Sequence, residues 1–512
     1  MRFKLRPYQN EFIDGVIEAY NDGHNRILGV AATGAGKTII ASHLMSMASG
    51  RCLFLADSKE LVFQNSIKYD QYTGDTSGIE MGKHHCNLER DRVVVATSQS
   101  LHRRLEKFPK DFFSIIIIDE AHRNTLGAMS QKVIHYFPGA KVLGLTATPT
   151  RSDRKDLGDF YEKIASEVGM QRLMLEGHLS RIVINRIPMS VDLRQVKSTR
   201  GDYKIDELGE IVAPVLSEAA NQIKEHAADR KKIVVFLPLI SIAKQMSDIL
   251  NSIGIKSVAV SGEDREGLND FVNGDAQAIC NAQLLSTGWD CPPVDCIMVL
   301  RPTKSISLYQ QMIGRGTRNS MGKTNLLILD PLYLSEDHRV ITPARLVATS
   351  VDEAQDLSVA FQTECGEEVD LLETHDSIKE KRMAALEARA RAKEKKKAKF
   401  VDVLAFSLNA DDKSLAQYEA EFVWEEQPPT EKQSEVLTKA GFDIDEVGGR
   451  GKASKLIDLL FSRRRQGLAT PKQLRILKRM NIQNAANISF QEASKIIDSF
   501  FSKSNTHNIH TS

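Results

Sequence analysis

The sequence is poor in the features that mark membrane-spanning, secreted and metal-stapled proteins. Its six cysteines (Cys52, Cys86, Cys280, Cys291, Cys296 and Cys365) are scattered without a C-x-x-C pair, which argues against a disulfide framework and against a zinc ribbon. They read as small buried residues. His84-His85-Cys86 places three ligand types in a row, but adjacent side chains diverge on helix and strand alike, so the triplet makes a poor metal site. The apolar run beside the main motifs, Ile115–Ile118, falls far short of the roughly 20 residues that cross a bilayer. Met1-Arg2-Phe3-Lys4-Leu5-Arg6 contains no apolar signal core. The expectation is a soluble protein with no membrane partner, kept in the cytoplasm of a bacterium or a phage-infected host. Charge of either sign is not in excess: 68 Lys and Arg face 67 Asp and Glu, so the net +1 excludes no partner until it is resolved locally.

What is present begins with Ala31-Ala32-Thr33-Gly34-Ala35-Gly36-Lys37-Thr38. Small residues such as Thr33, Gly34 and Gly36 let backbone N–H groups converge on a β-phosphate, Lys37 reaches the β/γ oxygens, and the Thr38 hydroxyl holds Mg²⁺. Ala31 stands where such a loop usually has its first glycine. The context supports the reading: Ile27-Leu28-Gly29-Val30 reads as a buried strand and Ile39-Ile40-Ala41 opens a helix, the order this chemistry requires. A second apolar strand, Ile115–Ile118, runs into Asp119-Glu120-Ala121-His122. Asp119 is the expected second residue at Mg²⁺, and Glu120 the base that positions the attacking water.

The pattern restarts at Lys232. Ile233–Leu237 reads as a strand, Ser241–Leu250 as an amphipathic helix and Lys256–Val260 as another strand, which predicts a parallel sheet with helices on both faces. This half has no phosphate loop. It carries Gln311-Met312-Ile313-Gly314-Arg315-Gly316-Thr317-Arg318, whose two arginines, three apart, fall on one face of a helical turn. From there Arg315 and Arg318 reach a γ-phosphate presented by the first half, and an arginine offered across a cleft in this way is worth about 10³ to 10⁵ in rate.

In this order the motifs resemble the superfamily 2 helicases, with the DEAH form of the second motif. Arg6-Pro7-Tyr8-Gln9 is similar to the adenine-reading motif. Phe54–Asp57 with Leu61–Gln64, and Thr97–Ser100, are similar to the strand-contacting motifs. Leu145–Pro149, Ser286–Asp290 and Gln311–Arg318 complete the series over roughly residues 1 to 340. Trp289–Asp295 followed by Met298–Thr303 looks closest to the RadD-like repair ATPases and the motors of type I restriction enzymes, although the cysteine-based zinc element of the RadD-like proteins is missing here. The resemblance implies that Gln9 reads adenine, with Tyr8 or Arg6 supporting the ring, and that Gln311 joins the catalytic set. It implies that His122, Thr146 and Thr148 couple hydrolysis to lobe movement, that Gly288 and Asp290 touch the nucleotide from the second lobe, and that Thr97 and Gln99 hold strand phosphates. Its cofactors are ATP and Mg²⁺.

Beyond Asp330-Pro331 the composition shifts. Residues 378–399 hold ten Lys and Arg without Gly or Pro and read as a long solvated helix. From Thr430 a repeat recurs at a spacing of 40: Thr430-Glu431-Lys432-Gln433 matches Thr470-Pro471-Lys472-Gln473, and Ala453–Asp458 matches Ala493–Asp498. Each unit opens with Thr-x-x-Gln, a capping box, so two helical hairpins are expected. Asp458 is the only acid from Gly451 to Met480, and Arg463, Arg464 and Arg465 are candidate backbone contacts for nucleic acid; a protein-docking module is the alternative.

The expected fold is α/β: two RecA-like parallel-sheet lobes of the P-loop NTPase kind with an α-helical C-terminal region. The expected boundaries are 1–165 for the ATP-binding lobe, 166–225 for a connecting segment, 226–345 for the second lobe, 346–429 for an accessory region with the basic helix, and 430–502 for the repeats. The expected activity is that of an ATP-dependent helicase or translocase, acting on DNA in repair, recombination or replication. RNA is the alternative nucleic acid, and the alternative function is a nucleic-acid-stimulated ATPase that remodels a protein partner. Small size and the missing zinc element are compatible with phage origin.

Overall fold

A computed structural model describes residues 4–147, 157–199, 201–260, 265–282, 294–334, 340–348, 351–363, 367–394, 403–412, 415, 418, 420, 423–480 and 482–507. The chain forms two compact units, Met1–Asp376 and Ser377–Ser512.

The first unit is built on two seven-stranded sheets. The first sheet comprises β1 (Arg26–Ala31), β2 (Cys52–Ala56), β3 (Gly78–Glu80), β4 (Val93–Thr97), β5 (Ile115–Ile118), β6 (Lys141–Thr146) and β7 (Lys163–Val168). β2 and β4 are apolar runs buried along their whole length, as expected of central strands in a parallel sheet covered on both faces. The strand order is β3-β4-β2-β5-β6-β1-β7, with parallel pairing throughout. That order matters for chemistry. It sets the carboxyl ends of β5, β6 and β1 side by side, so Asp119, Thr146 and the phosphate loop share one edge, the place where open α/β sheets bind ligands.

The second sheet contains β8 (Ile182–Asp192), β11 (Ile233–Phe236), β12 (Ser257–Val260), β13 (Ala278–Asn281), β14 (Cys296–Val299), β15 (Leu326–Leu334) and β16 (Glu368–Asp370); a short hairpin, β9 (Ser198–Thr199) and β10 (Asp202–Tyr203), lies between β8 and β11 in the chain. Its order is β12-β13-β11-β14-β15-β8-β16, parallel except for the antiparallel edge strand β16. Two expected boundaries therefore move. Residues 182–227 are not a connector: β8 is an inner strand, and Leu208, Val212, Leu216, Ala219, Ala220 and Ile223 from the helices after it share a core with Ile233 and Val235. β16 likewise extends the second lobe past residue 345.

The basic helix runs over Leu371–Glu394, starting in the first unit and ending in the second, and Lys395–Lys399 fall outside the described residues. The helices Glu431–Ala440 and Arg450–Arg465, then Pro471–Arg479 and Phe490–His507, form the two hairpins. They are built with the same bonds. Thr430 and Thr470 each close a capping box, and Gln433 and Gln473 each donate to a serine, Ser454 or Ser494, at 2.9 Å. Val403, Phe406 and Leu415 enter the core of these hairpins with Leu437, Leu456, Leu474 and Leu477, so part of the expected accessory region folds with the repeats.

Candidate active site

The phosphate loop depends on two left-handed glycines. Gly34 has φ +89° and Gly36 has φ +81°, a geometry open to glycine that turns successive N–H groups inward as an anion nest. A Cβ at Gly36 would lie 2.7 Å from Gln9 Nε2, and one at Gly34 would lie 2.8 Å from Leu179 Cδ2. The helix Pro7–Asn21 braces the loop: the Tyr8 hydroxyl and Gln9 Nε2 donate to the Ala35 carbonyl at 2.9 and 3.1 Å. Gln9 Oε1 accepts from the Arg6 N–H at 3.0 Å, so both polar ends of the expected adenine reader are engaged within the chain.

Lys37 opens the helix Lys37–Met47 and donates from Nζ to the Ala31 carbonyl at 3.3 Å, with Glu120 Oε1 4.0 Å away. Asp119 is buried at the end of β5, and Glu120 follows with φ +47°. A left-handed glutamate costs about 1–3 kcal/mol and persists only where its surroundings hold it. Here Glu120 N–H donates to Asp119 Oδ1 at 3.0 Å and Asn124 Nδ2 to the Asp119 carbonyl at 2.7 Å. Burial pushes the Asp119 carboxyl above the usual carboxylate range, the Glu120 charge adds to the push, and Lys37 opposes it. A group that neutralised both carboxylates would relieve that cost.

The donor set fits Mg²⁺. Thr38, on the helix that follows the phosphate loop, and the buried Asp119 supply two hard oxygens of the kind Mg²⁺ takes. That is the pattern of a cation held by one or two protein groups and the phosphates themselves. Asn65, which sequence reasoning missed, holds the Thr38 hydroxyl: Thr38 Oγ1 donates to Asn65 Oδ1 at 3.0 Å, and Asn65 is buried in the helix Lys59–Thr73. Lys68 in the same helix is pulled below the usual lysine range by burial and then by Arg318, with Asp119 pulling it back up.

His122 joins the lobes. Its Nδ1 lies 2.9 Å from Thr146 Oγ1 and its Nε2 lies 2.7 Å from Ser307 Oγ, the three residues being 4%, 0% and 9% exposed. Glu120 Oε2 is 3.4 Å from the same Nδ1. Ser307 belongs to the helix Ile306–Ile313, as does the half-buried Gln311, one turn on.

That helix stops at Ile313, so Arg315 and Arg318 do not share a helical face as expected; they stand in the turn beyond it. The turn is held by other means. Ser180 N–H donates to the Thr317 carbonyl at 2.7 Å, Asn319 Nδ2 to the Gly177 carbonyl at 2.8 Å, and Lys323 Nζ to the carbonyls of Gly316 and, at 2.9 Å, Arg318. A Cβ at Gly314 would lie 2.2 Å from Thr33 Cγ2, so glycine is what lets this turn sit on the phosphate loop. Burial lowers the pKa of both arginines, and the Glu120 charge opposes the shift at Arg315, which places that guanidinium in the field of the acid across the cleft.

Other expectations fare differently. Thr148, Gly288 and Asp290 lie outside the described residues. Thr97 is buried and caps the helix Ser98–Leu101 by accepting from the Ser100 N–H at 3.2 Å, so its hydroxyl is not presented to a strand; Gln99 is exposed. Arg463 is 6% exposed and donates Nη2 to the Ala469 carbonyl at 3.2 Å, closing a turn instead of facing solvent, whereas Arg464 and Arg465 are exposed. His85 and the Cys86 N–H both bond to the buried Glu80. Cys52, Cys280 and Cys296 are buried.

Comparison with known families fits this arrangement. Residues 2–151 match the family described as "Type III restriction enzyme, res subunit", and residues 214–320 match "Helicase conserved C-terminal domain". The chain thus carries, in this order, a restriction-enzyme res-subunit domain and a helicase C-terminal domain. The chain is 30% identical over 374 residues to IRC3 of Saccharomyces cerevisiae, a candidate ATP-dependent helicase, covering 68% of this chain and 54% of that protein. It is 26% identical over 425 residues to the type I restriction enzyme EcoAI endonuclease subunit of Escherichia coli, covering 72% and 51%. The chain thus spans about half the length of each. Its fold matches a fragment of a candidate HsdR subunit of a type I restriction enzyme from Vibrio vulnificus YJ016, with TM-score 0.51 and 22% identity over 66% of this chain and 70% of that one. Among the described residues no helix is long and apolar enough to cross a membrane.

Proposed function

We propose that this chain is an ATP-hydrolysing motor that moves on DNA, as a helicase or translocase. The observation that carries the reading is the buried His122 bridge: one imidazole bonds Thr146 of the first lobe and Ser307 of the second beside Glu120, so the acid that orients water is tied to the contact between lobes. Lys37 and the loop N–H groups bind the β and γ phosphates. Glu120 accepts a proton from the attacking water as its oxygen bonds the γ-phosphorus and the bond to the bridging oxygen breaks, giving ADP and phosphate. Arg315 and Arg318 stabilise the charge spreading over the transferring group. Mg²⁺, held by Thr38 and Asp119, would supply further neutralisation of the phosphate oxygens. Gln9 and Tyr8 keep the loop in shape for the nucleotide. Because Arg315, Gly314 and Ser307 all depend on the lobes being together, each hydrolysis and release cycle changes the lobe contact, and that is the stroke a bound strand feels.

DNA is the preferred track because the relatives include a restriction-enzyme subunit. ATP hydrolysis measured with and without single-stranded DNA, duplex DNA and RNA, together with triplex displacement on duplex DNA, tests the proposal. The expected result is DNA-stimulated hydrolysis with displacement, both lost in Glu120→Gln. Stimulation by RNA alone would reassign the track, and stimulation without movement or unwinding would make the chain a remodeller of a protein partner.

A further inference from the structure

Three phenylalanines of the repeats are exposed among the described residues: Phe461 at 45%, Phe490 at 51% and, farther along the helix Phe490–His507, Phe500 at 50%. On the helix Arg450–Arg465, Phe461 shares one face with Arg464 and Arg465, three and four residues on, and all three are exposed. Phe490 stands just beyond the end of that helix: its N–H donates to the Gly467 carbonyl at 2.8 Å, and the neighbouring Leu468 and Ser489 form a β-bridge. The backbone bond does not call for a ring. In the first repeat the equivalent N–H belongs to Arg450 and bonds the Gln427 carbonyl at 2.6 Å. Two apolar rings are thus left in solvent at one end of a helix where, from Gly451 to Met480, Asp458 is the single acid among nine Lys and Arg.

We infer that this end of the repeat unit is a platform for single-stranded nucleic acid. Phosphates take the guanidinium groups of Arg464 and Arg465, and bases stack on Phe461 and Phe490, a combination that binds strands without reading sequence. A duplex offers the same phosphates but keeps its base faces stacked on one another, so the rings select unpaired strand. This inference does not depend on the ATP site.

The test uses the full chain. Phe461→Trp adds an emitter to the two native tryptophans, whose signal is subtracted with the parent protein. Oligothymidylate at saturation, judged by anisotropy of a labelled strand, is expected to quench the added emission, and a blunt duplex is expected not to. Phe461→Ala with Phe490→Ala should weaken strand binding by about 5- to 150-fold per stacked base at unchanged salt dependence. Arg464→Ala with Arg465→Ala should flatten the slope of log affinity against log salt by about 1.4, two contacts at roughly 0.7 each. Strand-free ATP hydrolysis should stay at the parental rate in all of them. An unquenched Phe461→Trp at saturation, or an unchanged slope in the arginine pair, overturns the platform and assigns the patch to a protein partner.

Discussion

Removing one hydroxyl at the lobe contact should slow the motor without unfolding it. Ser307→Ala deletes the 2.7 Å bond between two buried groups, the Ser307 hydroxyl and His122 Nε2, on the ring whose other nitrogen lies 3.4 Å from Glu120. Removing one partner of a buried hydrogen bond costs about 1–3 kcal/mol. Because Ser307 and His122 stand on helices of different lobes, the cost falls on the closed arrangement and not on either lobe. Closure is what brings Arg315 towards Glu120, so the whole cost appears in turnover, a loss of about 5- to 150-fold in kcat/KM. Steady-state hydrolysis of the variant and parent, with a thermal melt of each, gives the comparison. A cycle with Thr146→Ala sharpens it: both changes act through one imidazole, so the double variant should fall short of the product of the singles. Turnover within twofold of the parent at an unchanged melting temperature would refute the idea that this bridge governs closure.

Two further expectations concern the metal side of the cleft. Asn65→Ala frees the Thr38 hydroxyl to turn, and the Mg²⁺ concentration for half-maximal hydrolysis should rise by about 2- to 13-fold, the net worth of one hydrogen bond, while metal-free nucleotide affinity stays put; an unchanged Mg²⁺ dependence would remove Asn65 from the site. Asp119→Asn should raise the melting temperature of the nucleotide-free protein above neutral pH. The folded pKa of Asp119 is raised, so between its unfolded value of about 3.9 and that raised value the unfolded chain ionises first, and stability falls as pH rises. The gain from Asp119→Asn should therefore grow through that window and vanish below it, and melts from pH 4 to 8 showing a constant difference would contradict the assignment.

How much of this was legible in the sequence follows from which interactions are local. The phosphate loop and Asp119-Glu120 could be read because each is one strand running into one turn, and the apolar runs of β1, β2, β4 and β5 declare a sheet buried on both faces. The capping boxes at Thr430 and Thr470 are four-residue signals, and each forms. Side-chain pairings across long separations carry no such mark: Ser307 lies 185 residues from His122, and Asn65 lies 27 from Thr38. Arg463 looks like its two neighbours in sequence, yet helical geometry turns it inward to the Ala469 carbonyl while Arg464 and Arg465 face out. Thr97 was taken for a strand contact because a threonine after a buried strand serves equally as a helix cap, and the cap is what forms. Residues 166–225 looked like a linker because β8 pairs with β15, about 140 residues later in the chain, and nothing local announces that.

The central claim is that the second lobe completes the catalytic site of the first, and Arg315→Ala tests it most directly. Single-turnover ATP hydrolysis at saturating DNA, alongside equilibrium nucleotide binding, separates chemistry from affinity. The account expects hydrolysis to fall by at least about a hundredfold with nucleotide affinity changed by only a few-fold, because the loop, Lys37 and Thr38 all belong to the other lobe. Hydrolysis at the parental rate would contradict it, since ATP would then be cleaved without the arginine that the closed lobes bring to Glu120.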